Sequence, residues 1–234
     1  MANWQRVLLK LSGELFRAGD DVLARAPMAQ YATAVAALAS SGVQVGIVIG
    51  GGNLLRGRDW ASHPHRADVD HVGMLGTVMN AGLFKLALED AGASARCFSA
   101  RDHRPVAAPF DRREALDAFA AGEVLLFAGG TGNPFFSTDS AAALRAVELD
   151  CDAFLKGTLV DGVYDSDPKK NPNAVRFDEI SFDEVLQRGL QVLDQAAVAV
   201  CRDAQLPVVV FDSTDPANFA ALMDGSLTST TIRG

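Results

Sequence analysis

The chain has 234 residues, 49% hydrophobic and 21% charged, with 21 Lys+Arg against 29 Asp+Glu for a formal charge of -8. That balance excludes a disordered chain and argues against general affinity for nucleic acid or an anionic membrane, both of which an acidic surface repels. It leaves room for small anionic ligands, because a site needs only a few local cations. Cys97, Cys151 and Cys201 are odd in number, widely spaced and without a CxxC pair. They read as free thiols in a reducing compartment rather than as a disulfide framework or a structural zinc site. No run approaches ~18 consecutive apolar residues, so no transmembrane helix is expected. The short apolar stretch near Met1 does not read as a signal peptide, and a cytoplasmic location is expected.

In chain order, Arg6 to Leu11 (RVLLKL) is a short apolar run ending at Ser12-Gly13. Met28 to Ser41 is Ala-rich with helical spacing and precedes Gly42. Val43 to Ile49 (VQVGIVI) ends in Gly50-Gly51-Gly52. Val69 to Ala91 places Val72, Leu75, Val78, Met79, Leu83, Leu86 and Ala87 at helical spacing, a stripe that fits either a core or a subunit interface. Arg113 to Ala121 is a shorter helix. Glu123 to Ala128 (EVLLFA) ends in Gly129-Gly130, and Thr138 to Leu149 starts with residues suited to N-capping. Ala153 to Lys156 ends at Gly157. A hairpin is expected between Gly162–Tyr164 and Val175–Phe177, with the polar tip Lys169 to Asn173. Phe182 to Gln187 and Leu193 to Ala204 read as helices, Pro207 to Phe211 (PVVVF) as a strand, and Pro216 to Met223 as a last helix entered through Asp215-Pro216. Near-continuous apolar runs alternating with helices imply an α/β layered fold on a mostly parallel sheet.

Four strand ends carry small, donor-rich loops: Lys10–Gly13, Gly50–Asn53, Gly129–Asn133 and Lys156–Thr158. In open α/β sheets ligands bind beyond the carboxyl ends of the strands, and glycines let backbone N–H groups approach an anion closely. One such loop is most often a turn; four of them, two with an adjacent lysine, point to phosphate. The chain has no G-x-x-x-x-G-K-[ST], and the Rossmann fingerprint fails at Leu55 and Phe135. His63-x-His65 and His71 read as solvated histidines before a helix, and no protein-held metal is expected.

LLKLSGE (Leu8 to Glu14), VIGGGNLLRG (Val48 to Gly57), DHVGMLGTVMN (Asp70 to Asn80), GTGNPFFSTDSAA (Gly130 to Ala142) and VDGVYDSDP (Val160 to Pro168) occur in that order. Together they resemble the bacterial uridylate (UMP) kinases of the amino-acid-kinase superfamily, over nearly the whole chain. The resemblance implies a three-layer α/β/α sandwich with a central mostly parallel sheet, forming one domain. A UMP-binding lobe would occupy approximately residues 1–150 and an ATP-binding lobe approximately residues 151–234. It implies transfer of the ATP γ-phosphoryl group to UMP in pyrimidine nucleotide synthesis, with Mg2+ carried on ATP. A homohexamer under allosteric control is also implied, although Arg17 to Ala26 departs from the family pattern in a region tied to GTP activation.

By position, the resemblance makes Lys10, Lys156 and Asp194 catalytic; read alone, Asp194 is equally well a solvated carboxylate. It assigns Lys10, Leu11, Ser12, Gly13, Gly52, Arg56, Thr158, Tyr164 and Asp167 to ATP, with Tyr164 packing on adenine. It assigns Gly51, Asp70, Thr131, Gly132, Asn133, Pro134, Phe135, Phe136, Ser137 and Thr138 to UMP, with Asp70 on the ribose hydroxyls. Phe135-Phe136 would wall the uracil or merely anchor an apolar loop. The open alternatives are a non-catalytic nucleotide-binding relative and an amino-acid kinase that phosphorylates a carboxylate.

Overall fold

The computed structural model describes residues 4–55, 60 and 62–234. The described elements are β1 (Arg6–Leu11), α1 (Arg25–Ser40), β2 (Gln44–Ile49), α2 (Arg66–Asp90), β3 (Ala95–Ser99), β4 (Ala108–Pro109), α3 (Arg112–Ala120), β5 (Val124–Ala128) and α4 (Thr138–Glu148) in the first part. The second part holds β6 (Ala153–Thr158), β7 (Val163–Tyr164), β8 (Arg176–Phe177), β9 (Glu179–Ser181), α5 (Phe182–Gln187), α6 (Gln195–Asp203), β10 (Val208–Asp212), α7 (Asn218–Asp224) and β11 (Ser229–Arg233). Among the described residues, nine strands form one sheet in the order β4-β3-β5-β2-β1-β6-β10-β11-β9. Its neighbours are parallel except β10 and β11. β7 and β8 form the expected antiparallel hairpin.

Alternate side chains of the central strands feed two separate cores. Val7, Leu9, Leu11, Val45, Ile47 and Ile49 pack with α1, α2 and α7 through Tyr31, Val35, Phe84, Leu88 and Phe219. Leu8, Val48, Leu125 and Phe127 pack on the other face with α3, α4, α5 and α6 through Phe119, Ala142, Val185 and Val198. Burial on both faces is why β1, β2 and β5 read as unbroken apolar runs. Each fully buried side chain of this size contributes about 1.5–3 kcal/mol relative to exposure. The three-layer reading therefore holds, with helices on both sides of a mostly parallel sheet.

Several strands escape a hydropathy reading. β3 (ARCFS) carries the exposed Arg96 at its second position, where its guanidinium pairs with Glu123 at 2.6 Å. β9 buries one residue, Ile180, and β11 buries Thr230 and Ile232 in alternation. A strand near the sheet edge needs few buried positions, so its apolar signal is short. The last helix starts at Asn218, two residues after the expected Pro216, because Asp215 caps a preceding turn by accepting from the Ala217 N–H at 2.9 Å. α2 starts at Arg66 rather than Val69, and the added turn places Arg66 and Asp70 on one helix face.

Most of the expected α2 stripe faces outward, whereas Val78 is buried in the core and Ala87 packs against it. Val72, Leu75, Met79, Leu83 and Leu86 are exposed, whereas Thr77 and Asn80 are buried. The inward face of this helix is partly polar because it meets two backbone loops.

Candidate active site

The sheet register builds the site's centre. β1 and β6 are adjacent and parallel, and Lys10 lies directly opposite Lys156. Facing residues of neighbouring strands project to the same side, so the two ammonium groups converge beyond the strand ends. The first turn of α4 places Asp139 between them. Its Oδ1 lies 2.9 Å from Lys10 Nζ, and its Oδ2 accepts a hydrogen bond from Lys156 Nζ. All three side chains are largely buried.

Burial pushes the Asp139 carboxyl up, but the two ammonium groups outweigh it and hold it below the usual carboxylate range. Burial, with Lys10 adding to it, lowers Lys156 below the ordinary lysine value against the opposing pull of Asp139. A carboxylate flanked by two cations leaves one net positive charge aimed at the space above the sheet.

That space is a cavity of about 390 Å³ lined by Lys10, Ser12, Gly50–Gly52, Asp70, Gly130, Phe136, Ser137 and Thr138, among others. It brings together half of the expected UMP residues and part of the expected ATP set. Gly13 sits deep beside it: a Cβ there would lie 2.2 Å from Asn53 Oδ1 and 2.4 Å from the Gly50 carbonyl oxygen. Only glycine fits where these two loops cross. The Leu11 side chain is wholly buried in the core, so only its backbone can face a ligand.

α2 holds the glycine loops from the far side. Asn80 Nδ2 donates to the Gly50 carbonyl at 2.8 Å, and the Asn80 and Asn53 amides bond each other reciprocally at 2.8 and 3.1 Å. Thr77 Oγ1 accepts from the Gly129 N–H at 2.8 Å. Asp70 Oδ2 accepts from the Phe135 N–H at 2.9 Å, while Oδ1 accepts from Arg66 Nε at 2.8 Å. Burial pushes the Asp70 carboxyl up, but these two donors hold it below the usual range. A carboxylate retains further lone pairs after two bonds, so Asp70 can still accept hydroxyl protons.

Asp194 caps α6, accepting from the Ala197 N–H at 2.9 Å. It also accepts from the Ser140 hydroxyl at 2.8 Å, from the Ser140 N–H at 3.2 Å and from the Ser137 hydroxyl. Ser137 is in turn the N-cap of α4, so one carboxylate joins two helix N-termini. Asp194, Asp139 and Lys156 share an adjoining cavity of about 470 Å³.

Other expected residues stand apart. Thr158 ends β6, with its hydroxyl donating to the Val160 carbonyl at 2.6 Å. The Tyr164 hydroxyl donates to Asp161 Oδ1 at 2.6 Å, and Asp167 accepts from the Lys169 N–H at 3.0 Å. None of these three lines either cavity. Thr131, Gly132, Asn133, Pro134 and Phe135 form the rim of the loop that leads into Phe136, with the Phe135 ring largely exposed. Arg56 lies outside the described residues.

Sequence reasoning missed Asp139, Arg66, Thr77, Asn80 and Asn53. Asp139 was disguised as a capping residue in Ser-Thr-Asp-Ser, and its signal was a carboxylate in the first turn of a helix that follows a glycine loop. Thr77 and Asn80 are polar positions opposite the apolar stripe of α2, and nothing in the sequence marks them as buried.

Residues 5–212 match the model of the Amino acid kinase family. A uridylate kinase of Pseudomonas savastanoi pv. phaseolicola is 46% identical over 233 residues, covering 99% of this chain and 94% of that protein. The crystal structure of UMP kinase from Bacillus anthracis superposes with a TM-score of 0.93 at 32% identity, covering 98% of this chain and 96% of that one. UMP kinase from Ureaplasma parvum gives a TM-score of 0.94 at 30% identity, covering 98% and 99% of the two chains. The chain belongs to the amino acid kinase family, in its uridylate kinase branch.

Proposed function

We propose that the protein is an ATP-dependent UMP kinase, moving the γ-phosphoryl group of ATP to the phosphate of UMP and releasing ADP and UDP. A phosphate oxygen of UMP forms a bond to the γ-phosphorus as the bond from that phosphorus to the β,γ-bridging oxygen breaks. Little of this is covalent work for a protein; it consists of bringing two polyanions together and compensating charge on the moving group. The observation that carries the proposal is the Lys10–Asp139–Lys156 bridge at the edge of the glycine-loop cavity.

In this reading Lys10 and Lys156 stabilise the transferring phosphoryl group, and Asp139 keeps two like charges side by side before substrate arrives. Lys10, Ser12, Gly13 and Gly52 receive the ATP phosphates, with Arg56, Thr158, Tyr164 and Asp167 toward the rest of that nucleotide. Gly51 and Thr131–Thr138 receive UMP, with Asp70 on its ribose hydroxyls. Asp194 acts at one remove, fixing the α4 turn that carries Asp139. Mg2+ enters as part of the MgATP substrate.

The exposed face of α2 supports assembly with further copies of the chain, toward the hexamer implied by the family resemblance. Three buried, unpaired cysteines fit a reducing, cytoplasmic setting. A coupled assay of ADP release tests the reading, with UMP, dUMP, CMP and glutamate as acceptors. UMP-dependent release supports it. ATP-induced thermal stabilisation without release points to a non-catalytic binder, and a hydroxylamine-trappable acyl phosphate points to an amino-acid kinase.

A further inference from the structure

We infer that Arg101 is a positioning residue for acceptor recognition, a role that rests on Thr131–Thr138 being the UMP segment. Arg101 lies just past the end of β3, in a strand-and-turn unit outside every motif that carried the family resemblance. Its Nη2 donates to the carbonyl of Gly132 at 2.9 Å. The side chain lines the outer pocket with His71, His103 and Gly129 and does not line the nucleotide cavity. Arg101 therefore touches the back of the loop and not the ligand.

The surroundings make that bond a register pin. Gly129 and Gly132 have positive φ values of 73° and 77°; Gly129 sits against Ser99 and Ala100, and Gly132 against Ala100. A Cβ on Gly129 would lie 2.6 Å from Ser99 Oγ, and one on Gly132 would lie 3.2 Å from Ala100 Cβ. The turn beneath the loop is itself held from several sides. The Ala100 N–H donates to Ala128 O at 3.1 Å, and the His103 backbone exchanges bonds with Ala107 at 3.1 and 3.2 Å. His103 Nδ1 lies 2.9 Å from Ser99 Oγ and 3.0 Å from the Arg101 carbonyl oxygen. Arg101 thus springs from a braced backbone turn, and the carbonyl it grips belongs to the Gly132–Asn133 peptide.

Inside this loop Thr131 and Asn133 bond mainly each other, at 3.1 to 3.5 Å. Asp70 ties its far end through the Phe135 N–H. Between the Thr77 bond at Gly129 and the Asp70 bond at Phe135, the Arg101 bond anchors the middle. The loop's own turn bond, from the Gly132 N–H to the Gly129 carbonyl at 3.0 Å, holds the near side of Gly132; without Arg101 the Gly132 carbonyl loses its tie to the β3 turn, and groups that should face the acceptor lose part of their fixed direction. The lysine pair lies on other strands and is not touched.

The test is steady-state ADP release for wild type, Arg101→Ala and Arg101→Lys, varying UMP and ATP separately, with melting temperatures measured alongside. Loss of one charge-assisted bond at an exposed side chain should raise the UMP KM of Arg101→Ala roughly five- to tenfold. The kcat and the ATP KM should stay within about twofold. Arg101→Lys should recover part of the UMP KM, since an ammonium supplies a point donor without the planar fork. An unchanged UMP KM in Arg101→Ala overturns the inference. So does a parallel rise of both KM values with a lowered melting temperature, which marks a merely structural arginine. Absence of UMP-dependent turnover in the wild type would instead overturn the UMP reading, and the role of Arg101 with it.

Discussion

Asp139 and Lys156 carry the sharpest expectations at the residue scale. Without the Asp139 carboxylate, Lys10 and Lys156 face each other as unshielded like charges in a largely buried setting. Asp139→Asn should therefore lower kcat by about 10²–10³, the range for losing one preorganised electrostatic element. A kcat within threefold of wild type, at unchanged melting temperature, would remove Asp139 from the mechanism. Lys156 predicts a pH limb. Its folded value lies below the ordinary lysine value of 10.5, so it gives up its proton at lower pH than an exposed lysine would. Because phosphoryl stabilisation needs the ammonium, kcat/KM should fall as pH rises through that lowered value. A profile flat up to 10.5 would contradict the assignment. These side chains were only partly legible: each lysine stood beside a glycine turn, but their partnership depends on the β1–β6 register, which no local pattern encodes.

At the scale of elements, α4 and α6 are joined end to end by Asp194. Its two oxygens take donors from the first turn of each helix, so it is a double cap. Asp194→Ala should cost about 1–2 kcal/mol of stability, or roughly 3–6 °C in melting temperature for a chain of this size. Because α4 carries Asp139, kcat should fall as well; a melting shift with full activity would limit Asp194 to a structural cap. The central strands and most helices were legible because burial on both faces gives unbroken apolar runs, and amphipathic spacing marks helices. β3, β9 and β11 were not, since their burial depends on neighbours distant in sequence. α2 shows the limit most clearly. Its apolar period was visible, but period alone does not say which face looks inward, and here Thr77 and Asn80 do because two loops offer them backbone partners.

For the whole molecule, the exposed side chains of Val72, Leu75, Met79, Leu83 and Leu86 run along one 25-residue helix. A contiguous apolar face of that length is uncommon on a solitary globular protein. Leu86→Glu, placed in that stripe, should reduce the molar mass in light scattering toward that of a single chain; an unchanged mass would exclude α2 as the contact. The charge of -8 is a global average that coexists with a local cationic centre at Lys10 and Lys156. No helix of the described residues is long and apolar enough to cross a membrane.

The central claim is that two register-paired lysines stabilise the phosphoryl group as it moves from ATP to UMP. Its most direct test is coupled ADP release with MgATP and UMP, for wild type beside Lys156→Ala. UMP-dependent turnover in the wild type, lost by at least 10²-fold in the variant, is the expected result. No ADP release by the folded wild type at millimolar UMP, or equal turnover in Lys156→Ala, would contradict it.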